Sequence, residues 1–271
     1  SREIAQHLKS LGYIVGFNLM QAGGKPDVLI TQKAACIKEW GCVDALYFAD
    51  SLGNMDTTEV ARIVAALHQA WDGELGIHTH NNMAKALDNT LHAHQLGVTW
   101  LDVTITGMGR GAGNAQTENL LAVLSLTSDA YNPAPIYDLV VRHFEKMQKH
   151  YGWGSSLLYF IGAQHNVHPT YVQNLLSDNR YGPDEIVGAI DYLSKADASS
   201  YDGRVLEKAL KMNQVESAAS GSLDLKNRFA QKEVLIIGRG SSVQRYLPAI
   251  ENYINTYKPI VLAINLNPII A

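Results

Sequence analysis

Two histidines one residue apart, His78 and His80, sit in Gly76-Ile77-His78-Thr79-His80-Asn81-Asn82 at the end of a short apolar run. In extended backbone, residues two apart project to the same side, so these imidazoles can offer two nitrogens to one cation. A second stretch, Gly107-Met108-Gly109-Arg110-Gly111-Ala112-Gly113-Asn114, alternates glycine with other residues. Its glycines let the backbone take positive φ or pass close to a ligand, and Asn114 can cap a helix or give its carbonyl oxygen to a metal. A third, Ala49-Asp50-Ser51-Leu52-Gly53, puts a carboxylate where it can hold the amides of a turn or orient a metal-bound imidazole, and the turn role is the expectation. Each motif also has an ordinary reading as a polar rim or a tight turn. What separates the readings is where the motifs stand in the fold.

They stand at the ends of apolar segments. Strands are expected at residues 13–17, 43–49, 75–78 and 100–105, each followed by a helix-periodic segment, at 26–40, 56–71, 83–96 and 114–126, with a further helix over 2–10. Strand starts near 13, 43, 75 and 100 are separated by about 30, 32 and 25 residues, the size of one strand-plus-helix unit. Four successive βα units follow, with parallel strands whose unbroken apolar character suits a sheet covered on both faces. An open doubly wound sheet and part of a barrel both satisfy this pattern, and both put their sites at the carboxyl ends of strands.

Beyond the fourth unit the character changes. Asn132-Pro133-Ala134-Pro135 reads as a linker, helical periodicity follows at 136–150, 169–176, 183–194 and 201–212, and a small, polar stretch at 214–222 reads as a second boundary. A strand at 232–237, a glycine-containing turn, a helix to about 257 and a strand at 260–264 complete the chain. The expected domains are therefore 1–126, 127–220 and 221–271. His165 and His168, before Pro169, fit a helix cap better than a metal pair.

The chain has 271 residues, 46% of them hydrophobic and 18% charged, with a formal net charge of -4. This composition excludes collagen-like, coiled-coil and disordered classes, and without a basic cluster it argues against nucleic-acid binding. No apolar run approaches the roughly 20 residues of a membrane helix, so no membrane partner is expected. A first residue of Ser rather than Met, with no signal-peptide pattern behind it, reads as a cut. Cys36 and Cys42 are too few for a disulfide framework and lack CxxC spacing, which suits reduced thiols in a cytoplasmic protein.

The motifs in this order, with Asn89-Thr90-Leu91 and Leu101-Asp102-Val103-Thr104 between them, resemble the HMG-CoA lyase-like, pyruvate carboxyltransferase-type superfamily of metal-dependent barrels. Within it they look most like the 4-hydroxy-2-oxovalerate aldolase branch. The resemblance covers residues 1 to about 125 and implies an α/β fold, the last four βα units of a (β/α)8 TIM barrel. It implies a lyase that cleaves or forms a 4-hydroxy-2-oxo acid through a pyruvate enolate. His78 and His80 then match the histidines that bind a divalent cation, manganese first, with magnesium or zinc as alternatives, and Asn114 matches a ligand or polar neighbour. Tyr151, in Tyr151-Gly152-Trp153-Gly154, loosely resembles a post-barrel tyrosine placed near substrate and is the catalytic candidate, with aromatic packing as its ordinary reading.

The implied partners are a small-molecule 2-oxo acid, an aldehyde dehydrogenase and, because a half-barrel has open edges, further copies in a homo-oligomer. A Claisen-type acyl transferase resembling isopropylmalate or citramalate synthase is the alternative within the superfamily. A non-catalytic nucleotide- or sugar-phosphate-binding module is the alternative outside it. The family's remaining ligand, an aspartate beside an arginine on the first barrel strand, has no counterpart before Tyr13. This chain by itself is therefore expected to bind metal weakly and not to turn over.

Gly238-Arg239-Gly240-Ser241-Ser242 follows the strand at 232–237 and looks like the opening turn of a Rossmann-like α/β domain. Exposed amides at such a turn hold anions, which makes Gly238, Gly240 and Ser241 cofactor-binding candidates. Val243 stands where the third glycine of the dinucleotide pattern would be.

Overall fold

The computed structural model describes residues 1–213, 229–238 and 242–263. The chain divides into two compact units, Ser1–Val215 and Glu216–Ala271. The first unit opens with α1 (Arg2–Ser10) and then alternates β1 (Gly16–Leu19), α2 (Asp27–Lys38), β2 (Ala45–Asp50), α3 (Thr57–His68), β3 (Glu74–Thr79), α4 (Ala86–Gln95) and β4 (Trp100–Asp102). A glycine-rich loop leads to α5 (Thr117–Leu124), followed by α6 (Ala134–Leu139), a π-helical turn (Val140–Phe144), α7 (Glu145–Tyr151), α8 (Leu157–Gln164), α9 (Pro169–Ser177), α10 (Pro183–Lys195) and α11 (Gly203–Asn213).

The four strands pair in parallel in the order β1-β2-β3-β4. Leu46 and Phe48 of β2 and Leu75 and Ile77 of β3 are buried against Ile30 and Ala34 of α2, Val60, Ile63 and Leu67 of α3, and Ala93 of α4. All three helices thus cover one face of the sheet. Because side chains alternate along a strand, the opposite face carries Ala45, Tyr47 and Ala49 of β2, Gly76 and His78 of β3, and Trp100 and Asp102 of β4. Sequential strand order with the helices on one side is the arrangement of a barrel arc rather than of a doubly wound sheet. No closed barrel is formed among the described residues.

The expectation of a sheet covered on both faces is corrected here. Alanine and glycine at these positions read as apolar in sequence, but they are small residues on the face away from the helices. Element ends differ as well. β1 begins at Gly16 rather than Tyr13 because the Val15 N–H donates to the Asp44 carboxylate at 2.8 Å instead of entering the ladder. β4 stops at Asp102 and α5 starts at Thr117, because the Thr104 N–H donates to the Ala115 carbonyl and the Thr117 N–H to the Thr104 carbonyl across the glycine-rich loop.

A second core lies in the helical region, where Tyr159, Tyr171, Val172, Leu175, Ile190 and Leu193 pack together. In the other unit, β5 (Val234–Ile237), α12 (Ser242–Arg245), α13 (Leu247–Tyr257) and β6 (Ile260–Ala263) form a single βαβ unit with parallel strands. No helix among the described residues is long and apolar enough to cross a membrane.

Phe48 is fully buried between the sheet and its helices. Phe48→Ala is expected to destabilise the first unit by about 3–5 kcal/mol, read from urea unfolding, because both transfer energy and a cavity are at stake.

Candidate active site

The carboxyl end of β3 is tied to the glycine-rich loop by backbone hydrogen bonds. The Asn81 N–H donates to the Gly113 carbonyl at 2.7 Å, the Ala115 N–H to the Thr79 carbonyl at 3.3 Å, and His80 and Asn114 form an antiparallel bridge. The loop can approach this closely because Gly113 takes φ +82°, and a Cβ there would collide with the Gly107 carbonyl oxygen. His78, His80 and Asn114 are thereby gathered at one strand end.

The two imidazole rings lie edge to face with centroids 5.1 Å apart. His78 Nδ1 is 3.2 Å from an Asp102 carboxylate oxygen, on the neighbouring position of β4. Such a carboxylate fixes the tautomer and leaves Nε2 for a ligand or metal. His80 is mostly buried, and burial, helped by His78 and by the Arg110 charge, pushes its pKa down to about 4. At neutral pH it is therefore an uncharged imidazole, the form that binds metals.

Asn114 donates its amide N–H to the Met108 carbonyl at 3.2 Å, while its side-chain oxygen is buried without a hydrogen-bond partner. An orphaned acceptor of this kind costs about 1–3 kcal/mol unless something outside the chain satisfies it. Two imidazoles and an amide oxygen are donor types that a divalent cation accepts. Among the described residues no group of three or more His, Cys, Asp and Glu side chains is arranged to hold a metal. A cavity of about 290 Å³ lined by His78, Asp102, Thr104 and Asn114 opens beside the site. Tyr47 and Trp100 pack edge to face, with centroids 6.3 Å apart, on the same inner sheet face. The Tyr47 hydroxyl is pushed up to about 12 by burial and by the Asp102 and Glu74 carboxylates.

None of the other candidates in the first unit lines that cavity. Tyr151 is 71% exposed at the end of α7, with its ring edge-on to His150, and lines a cavity shared with Gly111, Trp153 and Tyr159. No hydrogen bond joins it to the imidazole pair. Gly238 follows β5, in the other unit, and Gly240 and Ser241 lie outside the described residues. His168 caps α9, accepting the Thr170 N–H at 3.3 Å. Asp50 holds a turn, accepting the Asn54 and Met55 amides at 3.1 and 3.3 Å.

Sequence reasoning missed the role of Asp102, although equal register on adjacent parallel strands could have pointed to it. Arg110 carries no local signal of its own in the sequence. That side chain donates to the Thr170 hydroxyl at 3.1 Å, linking the glycine-rich loop to α9.

The HMGL-like family model matches residues 1–139, just over half of the sequence. The chain belongs to the HMGL-like family. It is 40% identical over 124 residues to a 4-hydroxy-2-oxovalerate aldolase of Carboxydothermus hydrogenoformans, an alignment covering 44% of this chain and 36% of that protein. To the 4-hydroxy-2-oxovalerate aldolase of Bacillus thuringiensis it is 34% identical over 168 residues, 59% of this chain and 49% of the relative. The chain thus spans between a third and a half of these relatives' length. The carboxyl transferase domain of Rhizobium etli pyruvate carboxylase superposes with a TM-score of 0.61 at 16% identity, over 78% of this chain and 40% of that one, a likeness of fold.

Asp50 yields a pH prediction. Burial raises its carboxyl to about 6 against the hydrogen bonds that lower it. A folded-state pKa above the unfolded value means that the folded protein keeps its proton longer. This contribution is complete below about pH 4, declines as pH rises to about 6, and amounts to about 3 kcal/mol across that window. Asp50→Asn is expected to remove that part of the slope, measured as urea midpoints of both proteins between pH 4 and 7.

Proposed function

We propose that this chain carries the metal-holding part of a divalent-metal-dependent aldolase that cleaves or forms a 4-hydroxy-2-oxo acid, with pyruvate as one product. The reading rests on the convergence of His78, His80 and the partnerless Asn114 oxygen at the carboxyl end of β3. The activity in its relatives' names supports it.

His78, His80 and Asn114 would hold the cation. When bound, that cation supplies Lewis-acid polarisation of the 2-oxo and carboxylate oxygens of a pyruvate unit. Asp102 keeps the His78 ring in the tautomer whose Nε2 is free. Burial keeps His80 unprotonated through the neutral range. Thr104 and the Asn114 carboxamide line the space beside the pair, where the substrate's oxygens would lie. Tyr151, which shares a cavity with Gly111, is proposed as the hydroxyl that hydrogen-bonds the C4 oxygen. With no carboxylate among its three donors, the chain alone is proposed to hold the cation weakly and to need a further ligand for turnover.

The test is pyruvate release from 4-hydroxy-2-oxopentanoate by the full-length polypeptide. His78→Ala and His80→Ala are each expected to lower it about a hundredfold, and Tyr151→Phe about tenfold. Acetyl-CoA-dependent thiol release without pyruvate formation would instead assign acyl transfer, and wild-type rates in both histidine variants would remove the metal-holding role.

A further inference from the structure

Tyr47 places a phenol behind the strand ends. By register, Tyr47 of β2, Gly76 of β3 and Trp100 of β4 form one row across the inner face of the sheet, and Ala49, His78 and Asp102 form the next row toward the carboxyl ends. Tyr47 therefore stands one row below the pair made by His78 and Asp102. An aromatic side chain with a polar tip, set in the middle of a strand, needs room for its ring and a partner for its hydroxyl.

The flanking strands supply the room. A Cβ on Gly76 would lie 2.4 Å from the Tyr47 ring carbons, and one on Gly16 of β1 would lie 3.2 Å from them, so the ring fills the volume that two absent side chains leave. On the β4 side it meets Trp100, whose indole N–H donates to the Glu74 carboxylate. The ring is thus bounded by β1, β3 and Trp100. Asp102 supplies the partner, since its carboxylate hydrogen-bonds the Tyr47 hydroxyl. With burial and the neighbouring carboxylates raising it to about 12, that hydroxyl keeps its proton and acts as the donor. The same carboxylate lies 3.2 Å from His78 Nδ1. The Asp102 side chain is 45% exposed, and a carboxylate so open to water is held weakly by a single contact. A second contact, from a ring that cannot move, fixes it.

We propose that Tyr47 is a positioning residue: its hydroxyl donates to Asp102 and holds that carboxylate on His78 Nδ1, so that the ring keeps its Nδ1–H tautomer and leaves Nε2 open to a cation. The consequence for the cation rests on the metal-holding reading; the consequence for the His78 tautomer does not. Tyr47 acts only through Asp102. Gly76 belongs to the same arrangement, because any side chain there would displace the ring and carry the hydroxyl away from the carboxylate.

The experiment uses the full-length polypeptide, metal-free and with isotope-labelled histidine, and reads the imidazole nitrogens by NMR at about pH 8, where the rings are neutral. The His78 signals are those lost in His78→Ala. Wild type should show the Nδ1–H form, and Tyr47→Phe, which keeps the ring, should shift population to the Nε2–H form. Calorimetric titration with manganese ions should show binding about tenfold weaker in Tyr47→Phe. In an Asp102→Asn background Tyr47→Phe should add little to either reading, whereas a ring needed only for packing would cost as much there as in wild type. Gly76→Ala, which keeps the hydroxyl but takes the ring's space, should reproduce the loss. Urea midpoints check folding, and Tyr47→Phe decides by itself if Gly76→Ala does not fold. A His78 ring that is Nε2–H in wild type or unchanged in Tyr47→Phe overturns the proposal, as does equal manganese affinity in the two proteins or an equal loss in the Asp102→Asn background. If wild type binds no manganese, the metal-holding reading fails, and the tautomer comparison alone decides on Tyr47.

Discussion

The site depends on a short antiparallel contact between the end of β3 and the glycine-rich loop. Parallel strands cannot by themselves bring Asn114 to His80, because their next neighbour in the sheet is β4. The bridge at His80 and Asn114, flanked by hydrogen bonds from Asn81 and Ala115, folds the loop back over the strand end. The left-handed backbone at Gly113 makes that reversal possible. Asn114 and Arg110 both take their positions from this contact.

The sheet supplies the second constraint. With α2, α3 and α4 on one face, the other face holds small residues and a band of polar and aromatic groups: Tyr47, His78, Trp100 and Asp102. His78 and Asp102 meet because they share a register position on adjacent parallel strands. The same alternation sends Leu75 and Ile77 into the helix-covered core and Gly76 and His78 toward the site. A shift of one residue in register would exchange the two sets.

The helical region from α6 to α11 has its own apolar core and still belongs to the same compact unit as the sheet. Its contacts with the glycine-rich loop are polar and specific: Trp153 to Thr106, Gly154 to Gly111, and Arg110 to Thr170. The same region also reaches the turns after β1 and β2, where Gln21 donates to the Ser199 carbonyl and Asn54 to the Ala163 carbonyl and the Asn166 side chain.

The four βα units, their order, and the pair His78 and His80 were legible in the sequence, because apolar runs, helical periodicity and two-residue spacing are local signals. So was the cap formed by His168 and the turn held by Asp50. The true starts of β1 and α5 were not, since each is set by a distant partner: Asp44 for Val15, and the loop's own cross-bonding for residues 104–116. Nor were the pairing of Asp102 with His78, the orphaned oxygen of Asn114 or the link from Arg110 to Thr170. Sequence determined which groups are present and how often they recur along a strand or helix. Tertiary structure decided which of them meet, because register, loop reversal and burial are properties of segments brought together across the chain.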